Sequence, residues 1–233
     1  MAFPFQVKVV RTRRKRTAAI SVSDDTVKIT VPSTLSDNRI RELITKRTPW
    51  IKKQLQEQLD RPKPKAKEYA HGETFAYLGK HYQLKVLTGV ASSIKLKGGY
   101  FEVTLRKIDH NSKSTIRRLL TEWYKDHAKK RLMDKTKRFA KIIGVVPNSI
   151  TVKDYKSRWG SCSTQGDISY NWRIILAPDN IVDYVVVHEL CHILEHNHSS
   201  RYWQHVTRYM PNWRECRDWL KQRRIVIEMY TTC

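Results

Sequence analysis

The chain has 233 residues, with 45 Lys and Arg against 22 Asp and Glu, a formal net charge of +23. That length suits one generous domain or two small ones, and the charge, far above the magnitude of about 2–8 that solubility needs, attracts polyanions in a salt-dependent way. No run of about 18 apolar residues exists, which argues against a membrane span, and Pro4 followed by the cluster from Arg11 to Arg16 lacks the order of a secretory signal.

Taken in chain order, residues 5–31 alternate as strands. Val7 and Val9 mark the first, Ala19-Ile20-Ser21-Val22 the second and Val27-Lys28-Ile29-Thr30-Val31 the third, with Asp24-Asp25 as a hairpin turn. The cations Arg11, Arg13, Arg14, Lys15 and Arg16 fall at the preceding turn or strand edge. They are either a solvated surface or the contact for nucleic acid or phosphate. A helix follows from Ser36 to about Leu59, with Ile40, Leu43, Ile44, Ile51 and Leu55 apolar. Residues 61–67, holding Pro62 and Pro64, read as a connector. Residues 73–105 read as further short strands, broken at Gly79, Gly89 and Gly98-Gly99. The expectation is an α+β protein whose residues 1–105 form a basic, β-rich region with one helix and whose residues 106–233 form a second domain.

Residues 112–143 carry the apolar spacing of one long amphipathic helix: Ile116, Leu119, Leu120, Trp123, Tyr124, Ala128, Leu132, Phe139, Ile142 and Ile143. Gly144 and Pro147 stop it. Strands are expected at Ile150 to Tyr155 and around Asp167 to Tyr170, and a last helix near Trp213 to Arg223. Between them a helix starts at Pro178-Asp179, with Asp179 as its N-cap. Val182, Val186, Leu190 and Ile193 recur at helical spacing, widened by Val185 and Leu194. The run Val185-Val186-Val187, taken alone, would suit a strand. The four cysteines, Cys162, Cys191, Cys216 and Cys233, form no CxxC pair, which fits free thiols in a reducing, cytoplasmic setting.

That helix contains His188-Glu189-Leu190-Cys191-His192, an HExxH pattern. Two imidazoles one turn apart can reach one metal ion, and the glutamate beside the first can polarise a metal-bound water. His198 follows His192 six residues later and can return as a third ligand, if the chain reverses at Asn197, a residue that tolerates a left-handed turn. Three protein ligands leave one position open, the mark of a catalytic site. The plainer alternative is an amphipathic helix whose histidines are satisfied core polar groups. Against it stands the cost of placing His188, Glu189 and His192 on or beside an apolar stripe with nothing to compensate. His196 and His205 rank below His198. Cys191 points about 100° away from His192 around the helix and reads as a packed thiol.

Two blocks carry a family resemblance. The first runs Arg158-Trp159-Gly160-Ser161-Cys162-Ser163, then Gly166, Asn171-Trp172-Arg173 and Ala177-Pro178. The second runs from Asp183-Tyr184 through the HExxH pattern to Asn197-His198-Ser199 and Tyr202-Trp203. Together they resemble the YgjP-like predicted metal-dependent hydrolases, zincin-like proteins related to SprT-like and WLM metalloproteases. Weaker similarity extends over most of the chain. The resemblance implies a zincin-like C-terminal domain, one zinc ion per chain held by His188, His192 and His198, and Glu189 as general acid/base. Position 202 is commonly phenylalanine in that family, so Tyr202 departs mildly from it.

The reaction expected is zinc-dependent hydrolysis, of a peptide first of all. Glu189 would take the water's proton and pass it to the leaving amine. Arg158 and Tyr202 are the candidate donors to the developing oxyanion, and the strand around Asp167 to Tyr170 could pair with an extended substrate. Two alternatives stay open. One is a nucleoside triphosphate pyrophosphatase, an activity also attributed to the family, which the abundance of Lys and Arg favours and the absence of a P-loop or an acidic magnesium cluster disfavours. The other is a nucleic-acid-associated protein that uses its basic surface.

Overall fold

Alternating apolar residues near the N-terminus do form a sheet. The computed structural model of the chain describes residues 3–13, 17–23, 26–60, 66–107 and 112–222, which fall into two compact units, Met1–Pro64 and Lys65–Cys233. In the first, β1 (Gln6–Thr12), β2 (Ala19–Ser23) and β3 (Thr26–Pro32) are ordered β1-β3-β2, with β1 parallel and β2 antiparallel to β3. Val27, Ile29 and Val31 of the central strand are buried with Ile40, Ile44 and Ile51 of α1 (Asp37–Leu59), the helix's inward stripe. The turn expected at Asp24-Asp25 and the connector prolines Pro62 and Pro64 lie outside the described residues.

In the second unit, β4 (Thr74–Tyr77), β5 (Lys80–Gly89), β6 (Ser93–Lys97) and β7 (Tyr100–Arg106) form a sheet ordered β4-β5-β7-β6. The β4–β5 hairpin turns through Leu78 and Gly79, both at positive φ, 48° and 78°, a turn whose twist matches that of the strands. Gly79 is needed there for a second reason: a Cβ on it would come 2.8 Å from the Cα of Pro178.

The packing does not divide the chain at residue 105. Phe75, Leu84, Phe101 and Val103 share one core with Leu120, Trp123 and Tyr124 of α2 (Ser112–Ile143) and with Val182 and Val186 beyond it. Residues 74–106 therefore belong with the C-terminal elements. Composition groups them with the first three strands because both stretches are basic and strand-like, but the contacts that bury them come from far along the chain. The 32 residues of α2 span about 48 Å. Its first half carries the four-stranded sheet, and its second half meets the elements of the site. Ile142, expected on the apolar face, is exposed.

A third sheet is ordered β8-β10-β9, from β8 (Ser149–Lys153), β9 (Gly160–Cys162) and β10 (Asp167–Asn171), with β8 parallel and β9 antiparallel to β10. A 3₁₀ helix over Trp172–Leu176 leads into α3 (Asp179–Leu194), α4 (Ser200–Tyr209) and α5 (Trp213–Gln222). Val185, Val186 and Val187 are helical, because all three are buried in the core and burial outweighs their small propensity cost. Pro178, not Asp179, occupies the N-cap position. The Asp179 carboxylate is engaged elsewhere, accepting from Lys135 at 2.9 Å and Arg131 at 3.1 Å on α2. No described helix is long and apolar enough to cross a membrane. Cys162, Cys191 and Cys216 are free thiols, and Cys233 lies outside the described residues.

Candidate metal centre

Helical periodicity brings His188 and His192 onto one face of α3, and the end of the helix supplies the third imidazole. α3 stops at Leu194, where Glu195 leaves with extended backbone (φ −149°, ψ 111°). Ser199 then caps α4, its Oγ accepting from the Tyr202 backbone N–H at 3.2 Å. Between these two points the chain doubles back. His198 Nε2 reaches 3.2 Å from His188 Nε2, and one ligand nitrogen from each of His188, His192 and His198 lies within 4.8 Å of the others. The left-handed turn expected at Asn197 is not used. Among the described residues the non-glycine positions at positive φ are Tyr69 and Leu78, and the reversal runs instead through extended Glu195 and the Asn197 carbonyl, which accepts from Ser199 N–H at 2.7 Å.

Two nitrogens each about 2.0–2.1 Å from a tetrahedral zinc stand roughly 3.3 Å apart, so His188 and His198 already have the spacing of ligands. Their protonation agrees. Burial holds His188 down to about 3, with His192 and His198 adding to the effect, and burial also lowers His192 and His198. All three are neutral at pH 7, the form that binds metal. His192 Nδ1 lies 3.2 Å from the Glu195 carbonyl. A carbonyl can only accept, so Nδ1 carries the proton and Nε2 keeps its lone pair for a ligand bond. The residues present fit a metal ion.

Glu189 is 5% exposed. Burial pushes its carboxyl up to about 8, and the Arg158 cation pulls it back only in part. Its carboxylate lies against β9: a Cβ on Gly160 would meet Glu189 Oε1 at 2.5 Å and Cγ at 2.8 Å. Only glycine permits that approach. The loop before β9 is pinned by Asn171, whose backbone N–H donates to the Trp159 carbonyl at 2.7 Å and whose Nδ2 donates to the Tyr155 and Arg158 carbonyls at 2.9 and 3.0 Å. Neither Gly160 nor Asn171 stood out in the sequence as a site residue. For Asn171 a signal existed: it stands between the aromatic residues Tyr170 and Trp172, and an amide buried among them needs partners.

The other candidates separate. Arg158 is exposed, with its guanidinium 5.5 Å from the Tyr155 ring, and its charge acts on Glu189. Tyr202 is fully buried, donates its hydroxyl to the His188 carbonyl at 3.0 Å and stacks on His192 at 4.5 Å. That hydroxyl is committed to the backbone, so Tyr202 orients two of the histidines and does not face a substrate as a free donor. His196 and His205 stand outside the histidine cluster. Cys191 is buried, its thiol pushed up to about 12 by burial, and is a packing group. β10 cannot pair with an extended substrate, because β8 and β9 occupy both of its edges and are themselves the two edge strands; β9 is the one that meets Glu189. Arg11, expected to meet phosphate, is engaged in the first unit: its guanidinium donates to the carbonyls of Ser33 (3.0 Å) and Leu35 (2.6 Å) and to Asp37 (2.6 Å). Arg13 is exposed, while Arg14, Lys15 and Arg16 lie outside the described residues.

Comparison with known proteins gives two matches. The profile of the family described as YgjP-like, metallopeptidase domain, matches residues 16–223. No curated protein matches the sequence. Among solved structures, the crystal structure of the metallopeptidase zymogen abylysin of Pyrococcus abyssi is similar at 20% identity and a TM-score of 0.37, over 40% of this chain and 93% of that one. A likeness that distant carries no argument about the site.

Proposed function

We propose that this chain, which belongs to the YgjP-like family and is a metal-dependent hydrolase, is a zinc peptidase in which Glu189 is the general base. The observation that carries the reading is the convergence of three neutral imidazoles, His188, His192 and His198, beside a buried carboxylate. Zinc held by these three nitrogens would supply Lewis acidity and a coordination position open to solvent and substrate.

The rest of the chemistry falls to the chain itself. Glu189, next to His188 in the chain and buried beside the histidine cluster, is placed to take a proton from water and return it to the leaving amine. Contact with Gly160 holds that carboxylate in place. The outer edge of β9, with Gly160 at its start, offers backbone groups to which an extended chain can add as a further strand within reach of Glu189. Arg158 is the remaining candidate for stabilising negative charge as it develops.

The test begins with the metal content of protein purified without added metal, expected to be about one ion per chain. Glu189→Gln should keep that metal and lose about 10²–10⁴-fold in hydrolysis of a denatured protein substrate. A variant that stays active overturns the mechanism. The charge of +23 supports a second reading, hydrolysis of nucleoside triphosphates, or attachment to DNA or RNA through the basic surface. Incubation with each triphosphate, and a nucleic-acid titration with and without chelator, separate these from peptide hydrolysis.

A further inference from the structure

Next to Glu189 lies a cavity of about 300 Å³, lined by Gly160 at the start of β9 and the loop before it, by His188 and Glu189 of α3, and by Arg217 and Lys221 of α5. Arg217 has a fixed place in it. Its guanidinium carbon sits 4.8 Å from the Trp213 ring and 5.6 Å from the Trp203 ring. Those two indoles stack on each other at 4.0 Å, and Trp203 stacks in turn on His198 at 5.5 Å. The cation is thus held by an aromatic column that ends at a candidate metal ligand.

Arg217 is also poorly satisfied from within the chain. Its Nε is buried and makes no hydrogen bond. Among the described residues the carboxylate in ion-pair range is Asp218, 3.7 Å from Nε and so beyond hydrogen-bond reach, and Asp218 also accepts from Lys221 at 3.2 Å. Glu189 has its own cation in Arg158, which acts on it. Arg217 and Lys221 line the cavity and share the one carboxylate of Asp218, which leaves this wall positive. Trp159, Val185 and Leu220 supply an apolar part of the wall, with Tyr184 and Ser157 also lining it. An apolar wall with a cation held on it suits a side chain that has a methylene stem and an anionic head.

We propose that this cavity receives an acidic side chain of the substrate next to the scissile bond, with Arg217 as the residue that selects it. The proposal rests on the peptidase reading. The shared chemistry is recognition of an oxyanion, and a carboxylate is the source argued here; a polyphosphate is the alternative that the experiment must reject.

Two matched peptides, differing only in Glu against Gln beside the cleavage point, would be titrated calorimetrically into zinc-loaded Glu189→Gln protein and also assayed for cleavage by the wild type. The Glu peptide should bind about tenfold tighter or better, the scale of a charge-assisted hydrogen bond, and should show a similar advantage in kcat/KM. Arg217→Met should bring the two peptides to parity. Arg217→Glu should reverse the order in favour of a Lys peptide, a gain that an unfolded protein cannot mimic. Equal binding of the Glu and Gln peptides overturns the proposal. So does tripolyphosphate binding at the same site, dependent on Arg217 and tighter than the Glu peptide. Selective binding of the Glu peptide without wild-type cleavage of either one upholds the cavity's selectivity and overturns the peptidase reading instead.

Discussion

The two ends of α3 treat polar groups in opposite ways. Over its first two turns Asp179 and Asp183 face Lys135 of α2 at 2.9 and 2.5 Å, with Arg131 and Arg138 alongside. Lys135 is 5% exposed, and it is tolerated there because two carboxylates meet it. Toward the other end His188, Glu189 and His192 have no such ion pair: Glu189 feels the Arg158 charge without a salt bridge among the described residues, and His188 Nδ1 is buried without a hydrogen bond. An unsatisfied buried polar group costs about 1–3 kcal/mol. One end of the helix pairs its charges, and the other holds polar groups without ionic partners, the arrangement that the proposed metal site calls for.

The largest effect expected is at the bare end. His192→Ala should drop bound metal from about one ion per chain to almost none and abolish hydrolysis. The metal-free protein should stay folded, because the variant removes a half-buried polar group that contributes little without a ligand. If the metal-free variant unfolds instead, the histidines are structural core groups and the contrast between the two ends fails. Elemental analysis and circular dichroism give the answer.

Gly160→Ala tests the carboxylate rather than the ligands. The new methyl must displace Glu189, and a misplacement on the scale of 1 Å can cost about 10²-fold in rate. Metal content should be unchanged. An active Gly160→Ala protein would mean that the position of Glu189 does not matter.

At the paired end, Lys135→Met leaves two carboxylates without their central cation. The expected loss is about 2 kcal/mol in urea unfolding, below the figure for a fully buried pair because Asp179 is 44% exposed. The pH dependence has a definite sign. Burial raises the Asp179 carboxyl, but hydrogen bonds and charge from Lys135 and Arg131 outweigh it and leave the group below its ordinary value. A depressed carboxyl stabilises the fold above its unfolded value, about 3.9, and that contribution is lost as pH falls toward the folded value. The gap between wild type and variant should therefore be complete at neutral pH and close below about pH 4. The smallest effect is expected from Tyr202→Phe, which removes the bond to the His188 carbonyl but keeps the stack on His192. It should cost about 1 kcal/mol of stability with metal retained, as measured by denaturation with and without chelator.

How much of this was legible in the sequence depended on the length over which a pattern repeats. α2 runs over the residues its spacing implied, 112–143, because many apolar positions vote on one period. β9 has three residues and the 3₁₀ helix five, too few to show any period. α4 did carry a signal, with Ser199 as cap and Tyr202 and Val206 one turn apart and buried. Its ten residues begin only six after the end of α3, too short a stretch to set its period apart from that of the helix before it.

By itself the sequence determined which groups could do chemistry: two imidazoles a turn apart, a glutamate between them and a third histidine within reach of a short reversal. Those relations follow from the helical period of about 3.6 residues, a property of a local segment that needs no knowledge of its surroundings. The tertiary structure alone decided that Gly160 meets the Glu189 carboxylate, that the Tyr202 hydroxyl is committed to the His188 carbonyl, that β10 is the central strand with β9 at an edge beside the site, and that Arg217 shares a cavity with the site. These are contacts between separate elements, and which surfaces meet is governed by how the whole core packs, a quantity that no local pattern of residues encodes.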